Sequence, residues 1–225
     1  MTSHETDFEP KPLTKSLITT RKSTKMTLCS SQVKIILASE STFRAELLGR
    51  LKVEFSQISA QIDETEKSDE SPSELTIRLA HAKAQTILEK FQDTHGEIIV
   101  IGSDQVACHK GKILGKPHTR DNAISQLRKF SGERVDFLTA VAVHTREQSF
   151  EHIDCTSVYF KTLSDQLIQN YVDQEDVLNC AGSFKSEGLG ICLFQKIENS
   201  DPTALIGLPM IWLSDCLQRL NIKLP

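Results

Sequence analysis

The sequence lacks the features that mark membrane-spanning, secreted and disulfide-rich proteins. No apolar run approaches the roughly 20 residues that a transmembrane helix needs, and the N-terminus has no apolar core of a secretory signal. The six cysteines are scattered without a CxxC pair, so neither a zinc site nor a disulfide framework is indicated. These absences predict a cytoplasmic protein with reduced thiols and no membrane partner.

Positive charge and stacking aromatic residues are also scarce. The net charge is −4, and there are only one Trp and two Tyr. A general nucleic-acid binder needs a basic surface to neutralise phosphates and aromatic rings to stack on bases, so nucleic acid is not an expected partner. The chain has 225 residues, 39% hydrophobic and 25% charged, which suits a globular protein with an ordinary core.

The first 32 residues differ from the rest of the chain. They are rich in Lys, Thr, Ser and Pro and show no sustained hydrophobic period, which predicts a disordered extension. An over-long start, with Met26 as the true beginning, is the alternative. Residues 33–225 are predicted to form one folded domain.

From Val33 onward, apolar strands alternate with amphipathic helices. The predicted strands are VKIILAS, VEFSQISAQIDE (running into a loop), EIIVIGSD (ending at Gly102), a hairpin in VACHKGKILGK, VDFLTAVAVH, IDCTSVYFKTL and a strand after the Gly-rich NCAGSFKSEG. Helices are predicted after Ser41, Ser71, Thr119 and Ser164 and from Pro209. This order predicts a mixed α/β fold with one central sheet.

Lys83 interrupts an apolar helix stripe. Leu75, Leu79, Lys83 and Ile87 follow one another at steps of four, so the cation lies among core-facing residues. Either its amine reaches past the core edge into water, or it projects into a cleft to meet an anion.

Two carboxylates stand near predicted strand ends. Asp104 is expected just past the apolar strand IIVI, where α/β sheets bind ligands, and could hold a metal or accept a proton from water. Glu64, in the pair Asp63-Glu64, could join it as a ligand of Mg²⁺. The alternatives are an Asp that starts a turn and a solvated acidic loop.

Arg44 and Lys116 add positive charge at element ends. Arg44 lies in the first turn of a helix that follows Ser39 and Ser41, where a cation is unfavourable unless an anion is bound. Lys116 lies in a short Gly-Lys-Pro loop before a helix. Three cations and two carboxylates, each at the end of a predicted element or on an otherwise apolar helix face, favour metal-assisted phosphoryl chemistry.

The chain resembles the Maf-like nucleoside triphosphate pyrophosphatases over about residues 33–220. The motifs that carry the resemblance are ILASESTFRAELL, Asp63-Glu64, RLAHAKA, GSDQV, GKP and GLP. The resemblance implies a mixed central sheet flanked by helices with a deep nucleotide-binding cleft. It also implies hydrolysis of a nucleoside triphosphate to the monophosphate and diphosphate with Mg²⁺ or Mn²⁺, and suggests a homodimer.

Matched by position, Asp104 corresponds to the proton-accepting carboxylate and Glu64 to its metal-binding partner. The phosphate-handling cations would be Arg44, Lys83 and Lys116. Ser39 and Ser41, with the free amides of the helix start, are expected to bind the substrate together with Arg44.

The stretches GSDQV and CAGSFKSEGLG are most similar to the branch that hydrolyses 7-methyl-GTP. In this branch an aromatic residue stands at Phe43, and Phe43, Gln105 and Glu187 would set specificity. Stacking of Phe43 on the cationic methylated base would add roughly 1–2 kcal/mol, and Glu187 could accept hydrogens from guanine. The alternatives are a dTTP- or UTP-type pyrophosphatase, and a nucleotide-binding regulator of septum formation, with which the family has been associated.

Overall fold

The computed structural model describes residues 33–224, so the predicted N-terminal extension lies outside the described residues. The strands are β1 (Lys34–Ala38), β2 (Phe55–Gln57), β3 (Ile98–His109), β4 (Lys112–Leu114), β5 (Arg134–His144), β6 (Ser149–Phe160) and β7 (Phe194–Glu198). The helices are α1 (Thr42–Gly49), α2 (Pro72–Glu89), α3 (Arg120–Phe130), α4 (Asp165–Gln174) and α5 (Met210–Arg219). Within the described part of the chain, no helix is long and apolar enough to cross a membrane.

The seven strands form one mixed sheet, as predicted. Their order is β2-β1-β3-β5-β6-β7, with β4 paired to β3. β1 runs parallel to both β2 and β3, and the remaining pairs are antiparallel. Parallel pairing of the buried strands β1 and β3 explains why their apolar residues run together instead of alternating with polar ones.

Side-chain caps define the helix starts that the sequence indicates. The Ser71 hydroxyl accepts from the Glu74 N–H while the Glu74 carboxylate accepts from the Ser71 N–H, and Pro72 occupies the first turn of α2. Thr119 and Ser164 cap α3 and α4 with their hydroxyls, which accept from the N–H groups of Asn122 and Leu167. The predicted helix starts are confirmed.

Helices cover both faces of the sheet. Leu47 of α1 and Leu213 of α5 pack with Leu37 and Ile101 on one face. Ala80, Ala84 and Ile87 of α2 pack with Ile36 and Val100 on the other. Helices α3 and α4 complete a third apolar cluster beside β5 and β6.

Gly102 allows α2 to lie against β3. A Cβ at this position would come within 2.2 Å of the Ala80 carbonyl oxygen and 2.8 Å of the Ala84 backbone nitrogen. Since Lys83 is in the same helical turn, this close approach brings its side chain over the part of β3 that follows Gly102.

The prediction that this strand ends at Gly102 is wrong. β3 continues to His109, and Asp104 lies within it, opposite Ala140 of β5. Pairing with β5 keeps the backbone extended through the polar residues. On the other edge of β3, pairing with β1 ends at the pair Ala38–Gly102, and pairing with β4 begins only at Ala107. Asp104 therefore still lies beyond the carboxyl end of a strand, namely β1.

Candidate functional site

A cavity of about 990 Å³ opens where β1 ends beside β3. Its lining includes every residue to which the sequence and the resemblance assign a catalytic, substrate-binding, metal-binding or specificity role. These are Ser39, Ser41, Phe43, Arg44, Glu64, Lys83, Asp104, Gln105, Lys116 and Glu187. Residues from six separated segments of the chain thus meet around one space, although their roles there are still predictions.

Lys83 joins two carboxylates inside this cavity. Its Nζ lies 2.7 Å from Oδ1 of Asp104 and 2.7 Å from Oε1 of Glu64. The side chains of Lys83 and Asp104 are only 12% and 10% exposed, whereas Glu64 is 55% exposed. Of the two expectations for Lys83, the structure supports the one in which the amine enters a cleft.

Arg44 is held along the cavity wall by oxygen acceptors. Its Nε donates to the Gly207 carbonyl at 3.0 Å, and its Nη1 donates to the Ser39 hydroxyl at 3.3 Å. A Cβ on residue 207 would lie 3.1 Å from the same Nε, so a glycine there leaves room for the guanidinium. Burial lowers the pKa of Arg44, and the charges of Asp104 and Glu64 oppose this effect.

Some backbone N–H groups at the start of α1 already donate to hydroxyls of the same segment. The Ser39 hydroxyl accepts from the Ser41 N–H at 3.2 Å, and the Ser41 hydroxyl accepts from the Arg44 N–H at 3.3 Å. Two of the amides expected to bind an anion therefore already have partners. The guanidinium of Arg44 is the stronger candidate contact for a phosphate at this helix start.

The two carboxylates of the site have pKa values that shift in opposite directions. Burial raises the pKa of Asp104, although Lys83 and Arg44 oppose the shift. At Glu64 burial also acts to raise the pKa, but the Lys83 hydrogen bond and the charges of Lys83 and Lys116 lower it overall. Asp104 is thus suited to accept a proton and Glu64 to stay ionised.

The donor set fits a metal that takes only part of its shell from the protein. Among residues 33–224 there is no group of three or more His, Cys, Asp or Glu arranged to hold an ion. Glu64 and Asp104 lie close enough to share the Lys83 amine, which suits Mg²⁺ bound by two carboxylates plus substrate phosphates and water. Asp63 points elsewhere, because its carboxylate accepts from both the N–H and the hydroxyl of Thr65.

Gln105 follows Asp104 on β3, but its amide nitrogen points into the protein. Nε2 donates to the Thr139 hydroxyl at 2.8 Å and lies 3.1 and 3.0 Å from the carbonyls of Ala204 and Leu205. These contacts fix the orientation of the amide, so its carbonyl oxygen Oε1 is the atom best placed to meet a ligand. Lys116, by contrast, is exposed in the loop before α3.

Phe43 and Glu187 reach the cavity from different elements. Phe43 is half-buried in α1. Glu187 is exposed in the loop that follows the short 3-10 turn Ala181–Ser183, and its carboxylate accepts from the Ser186 hydroxyl at 3.2 Å. Two buried rings that were not predicted, Phe137 and Phe184, also line the cavity and pack edge to face 5.0 Å apart.

The sequence reasoning also missed Ser103. Its hydroxyl is buried and lies 2.8 Å from the Ala140 carbonyl and 2.9 Å from the Gly207 carbonyl. It ties the Gly207 segment, which holds Arg44, to the strand that carries Asp104. The GLP motif and the GSD run marked the two ends of this contact, but no local pattern joins them.

The chain is similar to known proteins over most of its length. Residues 34–220 match the model of the family described as Maf-like protein. A 7-methyl-GTP pyrophosphatase from Hydrogenovibrio crunogenus is 47% identical over 194 residues, covering 85% of this chain and 95% of that protein. One from Alcanivorax borkumensis is 46% identical over 193 residues, covering 85% and 96%. The solved Ham1 protein of Staphylococcus aureus aligns over 70% of this chain and 89% of that one, with 13% identity and a TM-score of 0.39.

Proposed function

Since this chain belongs to the Maf-like protein family, we propose that it hydrolyses 7-methyl-GTP to 7-methyl-GMP and diphosphate. The observation that supports this most is the contact of Lys83 with both Asp104 and Glu64 in the cavity that Arg44 also lines. A buried carboxylate beside several cations is what hydrolysis of a phosphoric anhydride requires.

In the proposed reaction, Asp104 accepts a proton from a water molecule that attacks the α-phosphorus. A bond forms between the water oxygen and the α-phosphorus, and the bond from that phosphorus to the bridging oxygen breaks. Diphosphate leaves with the bond's electrons, and the monophosphate keeps the water oxygen. The raised pKa of Asp104 brings this carboxyl closer to the operating pH, which favours proton transfer.

The cations of the site would stabilise charge that builds up on the phosphates. Arg44 is fixed by Gly207 and Ser39 and would bind phosphate oxygens with its remaining N–H groups. Lys83 and Lys116 would stabilise the transferring phosphoryl group and the departing diphosphate. Glu64 and Asp104 would hold a divalent cation, Mg²⁺ or Mn²⁺, which neutralises phosphate charge when bound.

The base would be selected by three further residues that line the cavity, Phe43, Glu187 and Gln105. Phe43 would stack on the methylated guanine, whose positive charge adds roughly 1–2 kcal/mol of attraction to the ring face. Glu187 would accept hydrogen bonds from the guanine edge, and Gln105 would offer Oε1. Pyrimidine triphosphates cannot present the same donors to Glu187.

The reaction type can be tested with labelled water. Purified protein, 7-methyl-GTP and Mg²⁺ are incubated in H₂¹⁸O, and both products are analysed by mass spectrometry. We expect ¹⁸O in 7-methyl-GMP and none in diphosphate, and we expect turnover to stop with EDTA and to return with added Mg²⁺ or Mn²⁺. Label in the diphosphate, or release of inorganic phosphate, would contradict attack at the α-phosphorus. Nucleotide binding without any turnover would instead support a regulatory binding protein.

A further inference from the structure

Glu187 lies in a loop that carries a second charged residue, Lys185, two positions before it. Lys185 lines the cavity together with Glu187. The loop that would read the base therefore brings a lysine to the cavity as well as a carboxylate.

Glu175 contacts this loop at both of its ends. The residue directly follows α4, and its Oε2 accepts from the Leu189 N–H at 3.0 Å. Its Oε1 lies 3.4 Å from Nζ of Lys185, and the two side chains are 18% and 20% exposed. Tyr171 adds a third contact, because its hydroxyl accepts from the Lys185 N–H at 3.1 Å.

The turn between these contacts is tightly closed. The Lys185 carbonyl accepts from the N–H groups of Gly188 and Gly190 at 3.3 and 3.1 Å. A Cβ on residue 188 would lie 2.4 Å from Oε2 of Glu175, and a Cβ on residue 190 would lie 2.3 Å from the Lys185 carbonyl oxygen. The Glu175 carboxylate thus rests directly against the backbone that carries Glu187.

The pairing of Glu175 with Lys185 also has an electrostatic consequence. A base methylated at N7 is a cation, and an unpaired lysine beside it would repel it. An unmethylated guanine is neutral and would be affected much less. Because Glu175 lies beside Lys185 at a partly buried site, the charge of the lysine is largely offset before the base enters.

We propose that Glu175 is a positioning residue that sets the preference for a cationic base. It holds the turn that carries Glu187, and its charge offsets that of Lys185. This inference rests on the proposed function, since it concerns how one base is preferred over another at the same site.

The test compares kcat/KM for 7-methyl-GTP with kcat/KM for GTP in three variants. Glu175→Gln keeps an oxygen for the Leu189 N–H but leaves Lys185 unpaired, and we expect the ratio to fall roughly fivefold. Lys185→Met leaves the carboxylate unpaired, and we expect the ratio to rise. The double variant removes both charges and should return the ratio to within about twofold of wild type.

A matched control is Asp173→Asn, which removes a carboxylate two residues away that pairs with Arg120 on the surface. We expect its ratio to equal that of wild type. Equal losses on both substrates in Glu175→Gln would mean that Glu175 only supports the fold. Equal losses on both substrates in Lys185→Met would show that Lys185 binds phosphate, and a fall in the ratio would show that its charge favours the methylated base. Either result would overturn the proposal.

Failure of this inference can be told apart from failure of the proposed function. If the wild-type protein does not prefer 7-methyl-GTP, the proposed function is wrong. If the wild-type protein does prefer it and the two single variants do not move the ratio in opposite directions, only the role of Glu175 is wrong. Lys185→Met keeps the test decisive if a variant of Glu175 fails to fold, since it leaves the Leu189 contact intact.

Discussion

The residues proposed to bind the phosphates and those proposed to read the base are carried by different mixtures of structure. Arg44, Lys83 and Asp104, which would act on the phosphates, come from two helices and a central strand, and the last two are only 12% and 10% exposed. Of the residues proposed to read the base, Phe43 and Gln105 lie on α1 and β3, whereas Glu187 is exposed in a loop between short 3-10 turns. Its position depends on a few side-chain contacts, chiefly those of Glu175.

This difference matches what each group of residues would have to do. Proton transfer depends strongly on geometry, so its groups are best placed on elements that the core holds in position. Base selection depends on a few contacts at a rim, and loops can change these without disturbing the core. Substitutions of the residues that act on the phosphates should therefore affect every substrate, whereas those of the residues that read the base should change the preference among substrates.

The largest effect is expected from Asp104→Asn. The amide cannot accept the proton, so kcat should fall by about 10²–10⁴-fold on all triphosphates alike. The measurement is diphosphate release from 7-methyl-GTP, GTP and UTP. A rate near that of wild type, in a folded variant, would remove Asp104 from the proposed role.

A second prediction concerns the stability of the Asp104→Asn variant. Because the pKa of Asp104 is raised in the folded protein, the native state binds more protons than the unfolded chain above the ordinary carboxyl value of 3.8. The stability contributed by this group therefore falls as pH rises through that window. At pH 7 we expect the Tm of Asp104→Asn to equal or exceed that of the wild type. The difference in Tm between variant and wild type should become smaller as the pH is lowered towards 3.8. A markedly lower Tm at pH 7 would mean that the carboxylate stabilises the fold.

The next largest effect on kcat is expected from Lys83→Met, which roughly keeps the length of the side chain but removes its charge. We expect kcat to fall by roughly 100-fold. Losing the Lys83 amine would also raise the pKa of Asp104 further, since Lys83 now opposes the effect of burial. The acidic limb of the pH–rate profile should therefore move to higher pH. Lys90→Met, at the exposed end of the same helix, is the control and should change neither quantity.

A smaller and selective effect is expected from Phe43→Ala and Glu187→Ala. Each should raise KM for 7-methyl-GTP by about five- to twentyfold, the equivalent of about 1–2 kcal/mol. KM for unmethylated nucleotides should rise less in Phe43→Ala, and KM for UTP should hardly change in Glu187→Ala. The measurement is steady-state kinetics of both variants with 7-methyl-GTP, GTP and UTP. Equal increases in KM for all three nucleotides would show that neither residue reads the base.

The smallest kinetic effect is expected from substituting Gly188, with Gly49 as the matched control. A Cβ at Gly188 would meet the Glu175 carboxylate at 2.4 Å, whereas a Cβ at Gly49 meets nothing within 4 Å. Gly188→Ala should displace Glu175 and raise KM for 7-methyl-GTP by about two- to fivefold, without a large change in kcat. Gly49→Ala, at the end of α1, should leave the kinetics unchanged and raise the free energy of unfolding by about 0.5 kcal/mol. If both variants showed the same kinetics, the contact between Gly188 and Glu175 would not matter for reading the base.

Most of the fold could be predicted because it is encoded locally. The cap at Ser71, the proline at position 72 and the continuous apolar run of β1 each specify an element without reference to the rest of the chain. The predicted end of β3 at Gly102 was wrong because the next residues are polar. They stay extended through pairing with β5, a strand more than 30 residues away, and no local pattern reveals that pairing.

The members of the site could be predicted better than their contacts. Lys83 was conspicuous as a charge in an apolar stripe, and the structure gives it two carboxylate partners. Ser103 and Gly207, which fix Arg44, were not singled out as site residues, because their contact joins segments about a hundred positions apart. The same is true of the pairing of Glu175 with Lys185, which depends on how α4 lies against the loop.

The most direct test of the account is an internal competition. Equal concentrations of 7-methyl-GTP, GTP, UTP and dTTP are mixed with the wild-type protein and Mg²⁺, and the disappearance of each is followed in one reaction. We expect 7-methyl-GTP to be consumed first and GTP second, and each consumed triphosphate to yield one diphosphate. Consumption of UTP or dTTP ahead of 7-methyl-GTP, or of all four at one rate, would contradict the proposed function.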